Sequence, residues 1–428
     1  ARRSLATVER GGGGVATGEI QRVFDAAVQR QLRSESAGQG FTAVTAAALA
    51  QLDSFFGAPG AAQALDTVFN EFSAALSSLA AEPAGAAARA EVIATAQGLA
   101  GGLNRMAGKV QDARNDADAA IRASVEEVNA ALATIEDAER QLAALPGGHG
   151  RADVLDARDR AIDALARLAD IRVSERGAGR IAIHTTGGAV LFAGKASRLT
   201  FEPVHPLVAG AEGGGIGMTD GEGHAQPLHS GLLRSGEIAG LLALRDETLP
   251  ALQQGLDAVA AGLARAASEA GAAVFVDAGN GVATQPFAGG AQETGFSGRI
   301  AVDPALARDP SALSPGGSPA TAQALVAALA ETTRSFAAPT PGAAPFQGDV
   351  GAALRHLLDR QASQAAEAAQ LDEGQGVVVA ALSARAAEVS GVSVDAEMAQ
   401  LVDLQNAYAA NARVVSVVQD MFDALMNI

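Results

Sequence analysis

Between Pro83 and Pro146 the sequence carries no proline. An apolar stripe runs along that interval through Leu99, Leu103, Met106, Val110, Ala113, Ala117, Ile121, Val125, Val128, Leu132, Ile135 and Leu142. Its steps of three and four are the repeat of one helix face. The step of four is repeated between Ala117 and Val125, a stutter that locally unwinds a coiled coil. One helix over this interval is a rod of roughly 90 Å at 1.5 Å per residue, far longer than an ordinary globular helix. Pro83 suits its first turn, where a missing N–H costs nothing. Gly101, Gly102 and Gly108 are the candidate break points. A turn cluster at 146–150 and a resumed stripe at 154–168 predict an antiparallel helical hairpin.

The remaining patterns nest around this rod. After a glycine-rich connector at 11–14, Ile20, Val23, Val28 and Leu32 predict one helix face. Residues 41–56 and 63–79 predict two more helices. The texture changes near Ile171. Ile181 and Ile183 alternate with small or polar residues, then come Gly187 and Gly188, then Val190–Phe192, then Leu199, Phe201 and Val204. Short strands with glycine turns are expected up to about residue 231. Helix returns over 237–270, with Pro250 starting a new segment or kinking the first. Strand and loop are expected over 274–302, a helix over 321–336, and helix again from 349 to the end. The expected fold is mixed and mainly α, a long helical hairpin or coiled-coil stalk built from both chain ends with a small β-rich insertion. The expected boundaries are 1–172, 173–234, 235–348 and 349–428.

Composition removes several classes of function. The chain has 428 residues, a length suited to two to four domains, and a net charge of -17. Lys109 and Lys195 are its only lysines, which argues against nucleic-acid binding and a polybasic membrane patch. Without cysteine, disulfides, thiolate nucleophiles and cysteine-bound metals are excluded. No run of about 18 apolar residues is free of charge, and no basic-then-apolar leader precedes a cleavage site. Aromatics are 4% of residues while alanine is abundant, so cohesion must come from long helix contacts or neighbouring subunits.

Motifs of catalysis or cofactor binding fail on spacing. Gly188 to Lys195 has five residues between its glycines, and Ala196 stands where a phosphate loop needs Ser or Thr. His224 and His229 near Asp220 and Glu222 fit neither a zinc nor a calcium pattern. His149, His184, His205 and His356 are scattered. Asp116 with Asp118, and Glu126 with Glu127, are read as solvent-facing carboxylates. No serine lies in a Gly-x-Ser-x-Gly elbow. No enzyme activity, metal or cofactor is expected.

The C-terminus carries the sharpest signal. Leu401, Tyr408, Val415 and Phe422 lie seven apart, and Leu404, Asn411, Val418 and Leu425 interleave at the second heptad position. Asp395 is the expected N-cap, with Glu397 in the first turn. Asn411 places one polar group in the seam, a device that fixes register. A core helix and an intermolecular helix both satisfy this spacing.

The stretch from Ser390 to Ile428, with Asp395, Glu397, Leu404, Gln405, Tyr408, Asn411, Arg413, Phe422 and Leu425, resembles the C-terminus of flagellar axial proteins. The stretches beginning at Ser235, Gly18 and Ile300 resemble, in order, parts of the first hook-associated protein family. The resemblance implies a structural subunit joining flagellar hook to filament, exported by the flagellar type III apparatus and polymerising through its helical ends. Its implied partners are the hook protein, the next hook-associated protein, copies of itself, and a dedicated export chaperone on the seam from Leu401 to Leu425. Nucleic acid and membrane insertion are not implied, and the implied location is the extracellular flagellum, reached without a cleaved signal peptide. The family's apolar N-terminal helix and a further outer domain are not recognisable in the sequence. A monomer with a frayed or abnormally docked C-terminal seam is therefore expected. Another secreted coiled-coil protein, such as an adhesin, explains the helices but not the ordered matches; a hydrolase in the β region explains nothing specific.

Overall fold

The computed structural model describes residues 2–10, 14–23, 25–57, 60–61, 64–145, 150–177, 179–229, 231–279, 285–338, 344–390 and 394–426. The chain opens as an antiparallel hairpin of β1 (Arg2–Arg10) and β2 (Gly14–Val23), with Arg2 opposite Val23 and Arg10 opposite Gly14. This corrects two expectations: Gly14 belongs to a strand, and Ile20 and Val23 are not on a helix. Val15, Thr17, Ile20 and Val23 are β-branched and favour the pleated strand. Asp25 then starts α1 (Ala26–Phe56), its Oδ1 accepting the N–H groups of Ala27 at 2.8 Å and Val28 at 3.2 Å. The two helices expected over 20–56 are this single one. Gly40 lets it cross closely, since a Cβ there would collide with the Arg167 carbonyl.

Helix α2 (Leu65–Ala81) leads to α3 (Ala86–Ala144), which runs 59 residues without a break at Gly101, Gly102 or Gly108. Gly85 is its cap residue, so Pro83 precedes the helix rather than sitting in its first turn. Every residue of the predicted stripe is buried except Ala113, which is half-buried. α4 (Gly150–Leu168) returns along α3; Arg158 meets Glu139 at 2.7 Å and Arg151 donates to the Leu142 and Leu145 carbonyls. Of the turn expected at 146–150, residues 146–149, His149 among them, lie outside the described residues, and Gly150 begins α4.

The β-rich insertion follows as two antiparallel three-stranded sheets. One has β3 (Ile171–Glu175), β4 (Ile181–Thr185) and β5 (Val190–Phe192) in sequence order. The other has β6 (Arg198–Phe201), β7 (Ile216–Thr219) and β8 (Ala225–Leu228) in the same manner. Then come α5 (Glu237–Ala243), one π-type turn (Leu244–Thr248) and α6 (Leu249–Glu269). Pro250 has no N–H to continue the regular ladder, and the wide turn is closed instead by Leu249 N–H on the Leu244 carbonyl.

The chain continues through β9 (Phe275–Asp277), β10 (Gln285–Pro286), β11 (Ile300–Val302), α7 (Pro304–Arg308) and α8 (Ala320–Leu329). β9 pairs with both β10 and β11. The helix predicted to reach Phe336 stops at Leu329, and Ser335–Phe336 forms β12 against β13 (Phe346–Gln347). Last come α9 (Val350–Ser390) and α10 (Val394–Met426). The fold is mainly α with a small β-rich insert.

The main core joins α2, α3, α6, α8 and the start of α9. Phe72 meets Phe275 edge-to-face at 5.7 Å, while the α6 face is largely alanine, which lets neighbours approach closely. α9 also runs antiparallel along α1: Thr42 donates to Asp372 at 2.9 Å, and Gln375 donates to Glu35 at 2.7 Å. Among the described residues no helix is long and apolar enough to cross a membrane.

Candidate assembly helix and polar clasp

α10 is a continuous helix, and every side chain described on it is exposed. Asp395 lies within it, one residue past its start, and not at the cap. The predicted seam residues Leu401, Leu404, Tyr408, Asn411, Val415, Val418, Phe422 and Leu425 all face open space, from Val418 at 44% exposed to Tyr408 at 79%. Val414 and Met421 widen the same apolar strip. Burying one such side chain is worth roughly 1.5–3 kcal/mol, so a matching helix would gain far more here than from surface ion pairs.

A second constellation fixes the β-rich insertion to the rod. Polar side chains along α3 hold backbone groups of the insertion. Asn129 accepts from Leu199 N–H and donates to Leu199 C=O, both at 2.8 Å. Asn115 repeats this on Leu207, at 2.8 Å and 3.3 Å, and Glu136 accepts from Ala196 N–H at 2.9 Å. Arg114 is buried and donates to the carbonyls of Val208, Ala211 and Arg245. Burial holds its guanidinium below the ordinary value, with the Arg245 charge adding to the effect.

Arg245, on the π-type turn, is 2% exposed. It donates to Asp118 at 2.5 Å, to both Asp246 oxygens at 2.8 Å and to the Gly214 carbonyl at 2.9 Å, with the Phe201 ring 5.7 Å away. Burial works against its charge, but the hydrogen bonds it donates to Asp246 and Asp118 outweigh that and leave its pKa above the ordinary value. Gly213 is required beside it, since a Cβ would overlap the guanidinium. Asp118 therefore corrects an expectation: it is buried, and its other oxygen accepts from Val204 N–H at 3.0 Å. Asp116, Glu126 and Glu127 are exposed as expected.

Next to this network is an open cleft of about 660 Å³, lined in part by Arg114, Glu212, Asp246, Gln253, Asp257 and Glu293. Asp257 is buried and accepts from Gly295 N–H, Ser297 N–H, Ser297 Oγ and Gln253 Nε2 at 2.5–2.9 Å. Burial nevertheless pushes its carboxyl above the ordinary value. Such a group binds its proton more tightly in the folded chain, so its contribution is fully present at low pH and lost as pH rises through the raised value. Asp257→Asn turns an acceptor into a donor and is expected to lower stability by about 1–3 kcal/mol. Urea unfolding at several pH values should show the gap between the two proteins widening as pH falls from neutrality; a constant gap would contradict the assignment.

The chemical motifs stay apart. His224 is exposed and contacts Asp220 at 3.1 Å in the β7–β8 turn, and His356 stacks on Phe346 at 4.6 Å. The segment 188–195 is β5 followed by a bend that the Phe192–Ala196 bridge closes, with Gly188 and Gly194 at positive φ. Among the described residues no group of His, Asp or Glu is arranged to hold a metal.

Comparison with known proteins agrees with this architecture. The family model described as "Flagellar hook-associated protein FlgK helical domain" matches residues 49–283, which include the rod, the insertion and α6. A second, "Flagellar basal body rod FlgEFG protein C-terminal", matches residues 384–428. Flagellar hook-associated protein 1 of Escherichia coli K12 is 25% identical over 60% of this chain and 46% of its own length. The Salmonella typhimurium protein of that name is 23% identical over 56% of this chain and 43% of its own. The chain thus spans about half the length of the curated relatives it matches. The structure of the flagellar hook junction protein FlgK from Burkholderia pseudomallei shares the fold, with a TM-score of 0.50 and 24% identity over 58% of this chain and 44% of that one. With more than half its residues under the first of these family models, the chain belongs to the FlgK family of flagellar hook-associated proteins.

Proposed function

We propose that the chain is a subunit of the hook–filament junction, exported by the flagellar type III apparatus and joined into the axial structure through its helical ends. The observation that carries this is α10, whose apolar seam is entirely exposed and falls within the segment matched by the rod-protein C-terminal family. Its neighbours would be the hook protein, the next hook-associated protein and copies of itself, with a dedicated export chaperone covering the seam beforehand. The absence of cysteine is compatible with passage through a narrow channel, which a disulfide would obstruct. In the native host, deletion of the gene should leave hooks without filaments, and antibody against the chain should label the distal end of the hook. Normal filaments after deletion would reject the junction role. Secretion independent of the flagellar export apparatus would reject the route alone.

A further inference from the structure

α9 is one unbroken helix, but its packing changes in the middle. Val350, Leu354, Leu357 and Leu358 enter the main core. Beyond residue 361 the buried side chains among the described residues of α9 are Ala365 and Ala368, which form a separate small cluster with Ala46 and Leu49. Leu371 and Val377 further along are 57% and 65% exposed. Polar ties from Asp372 to Thr42 and from Gln375 to Glu35 complete this part.

Gln361 lies at the boundary. It is 2% exposed, yet neither its Oε1 nor its Nε2 has a hydrogen-bond partner among the described residues. The cavity beside it, bordered by Ala251, Leu252, Leu357 and Gln364, holds about 10 Å³, the lower limit for a single water. A buried amide without a partner weakens the contact it sits in, and alanine contributes little apolar area to either side. A helix segment with few buried contacts opens at lower free energy than the core it adjoins.

We propose that α9 consists of two cooperative units joined at Gln361: residues 350–358 stay with the core, while 362–390 open from α1 on their own. The helix segment between the core and the assembly helix is then the one able to readjust without unfolding the rod.

Native-state amide exchange, read by fragment on the chain, tests this. Exchange at 362–390 should be at least about ten-fold faster than at 350–358. Gln361→Leu should slow exchange in 362–390 and raise Tm by ~2 °C. Leu49→Ala, which removes the largest side chain of the small cluster, should speed exchange in 362–390 and leave 350–358 unchanged. Uniform protection along α9 would overturn the proposal. So would a Gln361→Leu variant with unchanged or lower Tm, because the amide would then have a partner to lose.

Discussion

Replacing Arg245 with methionine is expected to lower the unfolding free energy by about 3–5 kcal/mol, among the largest effects available to one side chain here. The guanidinium is enclosed, and the Asp118 oxygen it serves is enclosed with it. Removing the cation leaves a buried carboxylate holding only the Val204 N–H, and it also frees the Gly214 carbonyl. Methionine fills much of the space, so packing loss alone would cost far less. A double substitution separates charge from shape. In Arg245→Met with Asp118→Asn, the asparagine carbonyl can still accept from Val204 while the uncompensated charge is gone. The double variant should therefore be more stable than Arg245→Met by at least about 1 kcal/mol. Urea midpoints at unchanged slope would measure this. A double variant no more stable than the single one would mean that buried charge is not the cause. Arg245→Lys should fail to restore the native value, since an ammonium cannot fork to Asp118, Asp246 and Gly214 together.

The rod was legible because a stripe with steps of three and four over so many turns has one physical reading, and nothing in the interval interrupts the backbone ladder. Its stutter from Ala117 to Val125 falls beside the polar clasp, where α3 faces the insertion as well as other helices. The clasp itself was not legible. Its partners are backbone N–H and C=O groups, most of them between Ala196 and Gly214, brought to α3 by tertiary folding. One trace was present: Asn115, Asn129 and Glu136 are separated by multiples of seven residues, which keeps them on one side of α3. Pairing Asp118 with Asp116 was the error, because residues two apart on a helix point to nearly opposite sides, and the Asp118 side of α3 is covered here. The β1–β2 hairpin was hidden for a different reason. Ile20 and Val23 are three apart, a helical step, and only the β-branched content and the Asp25 cap argue for strand before it and helix after it. In the terminal helix, spacing gave the seam its register, but spacing alone could not separate a core helix from an unpartnered one; exposure does.

Changing Leu404, Val418 and Leu425 together to Asp is expected to abolish filaments and reduce swimming to background, while the chain itself unfolds at nearly its native temperature. The reasoning lies in where these side chains are. All three occupy the same heptad position of α10, and all are exposed, so folding of the rod and core does not draw on them. Exposed substitutions of this kind stay within about 0.5 kcal/mol. In an assembled seam, however, each carboxylate would be buried against an apolar neighbour without a counter-charge, a cost of several kcal/mol per ion. Val402→Asp with Val417→Asp supplies the control: these valines are equally exposed but lie off the seam. The control places two new carboxylates on the same helix, against three in the seam variant, and it should keep filaments. The level of secreted chain then divides the two roles proposed for the seam. Normal secretion without filaments points to assembly as the step lost, and lost secretion points to the export chaperone. Normal filaments in the seam variant would mean that α10 joins nothing through this face, and equal loss in the control would mean that the heptad register does not select the partner.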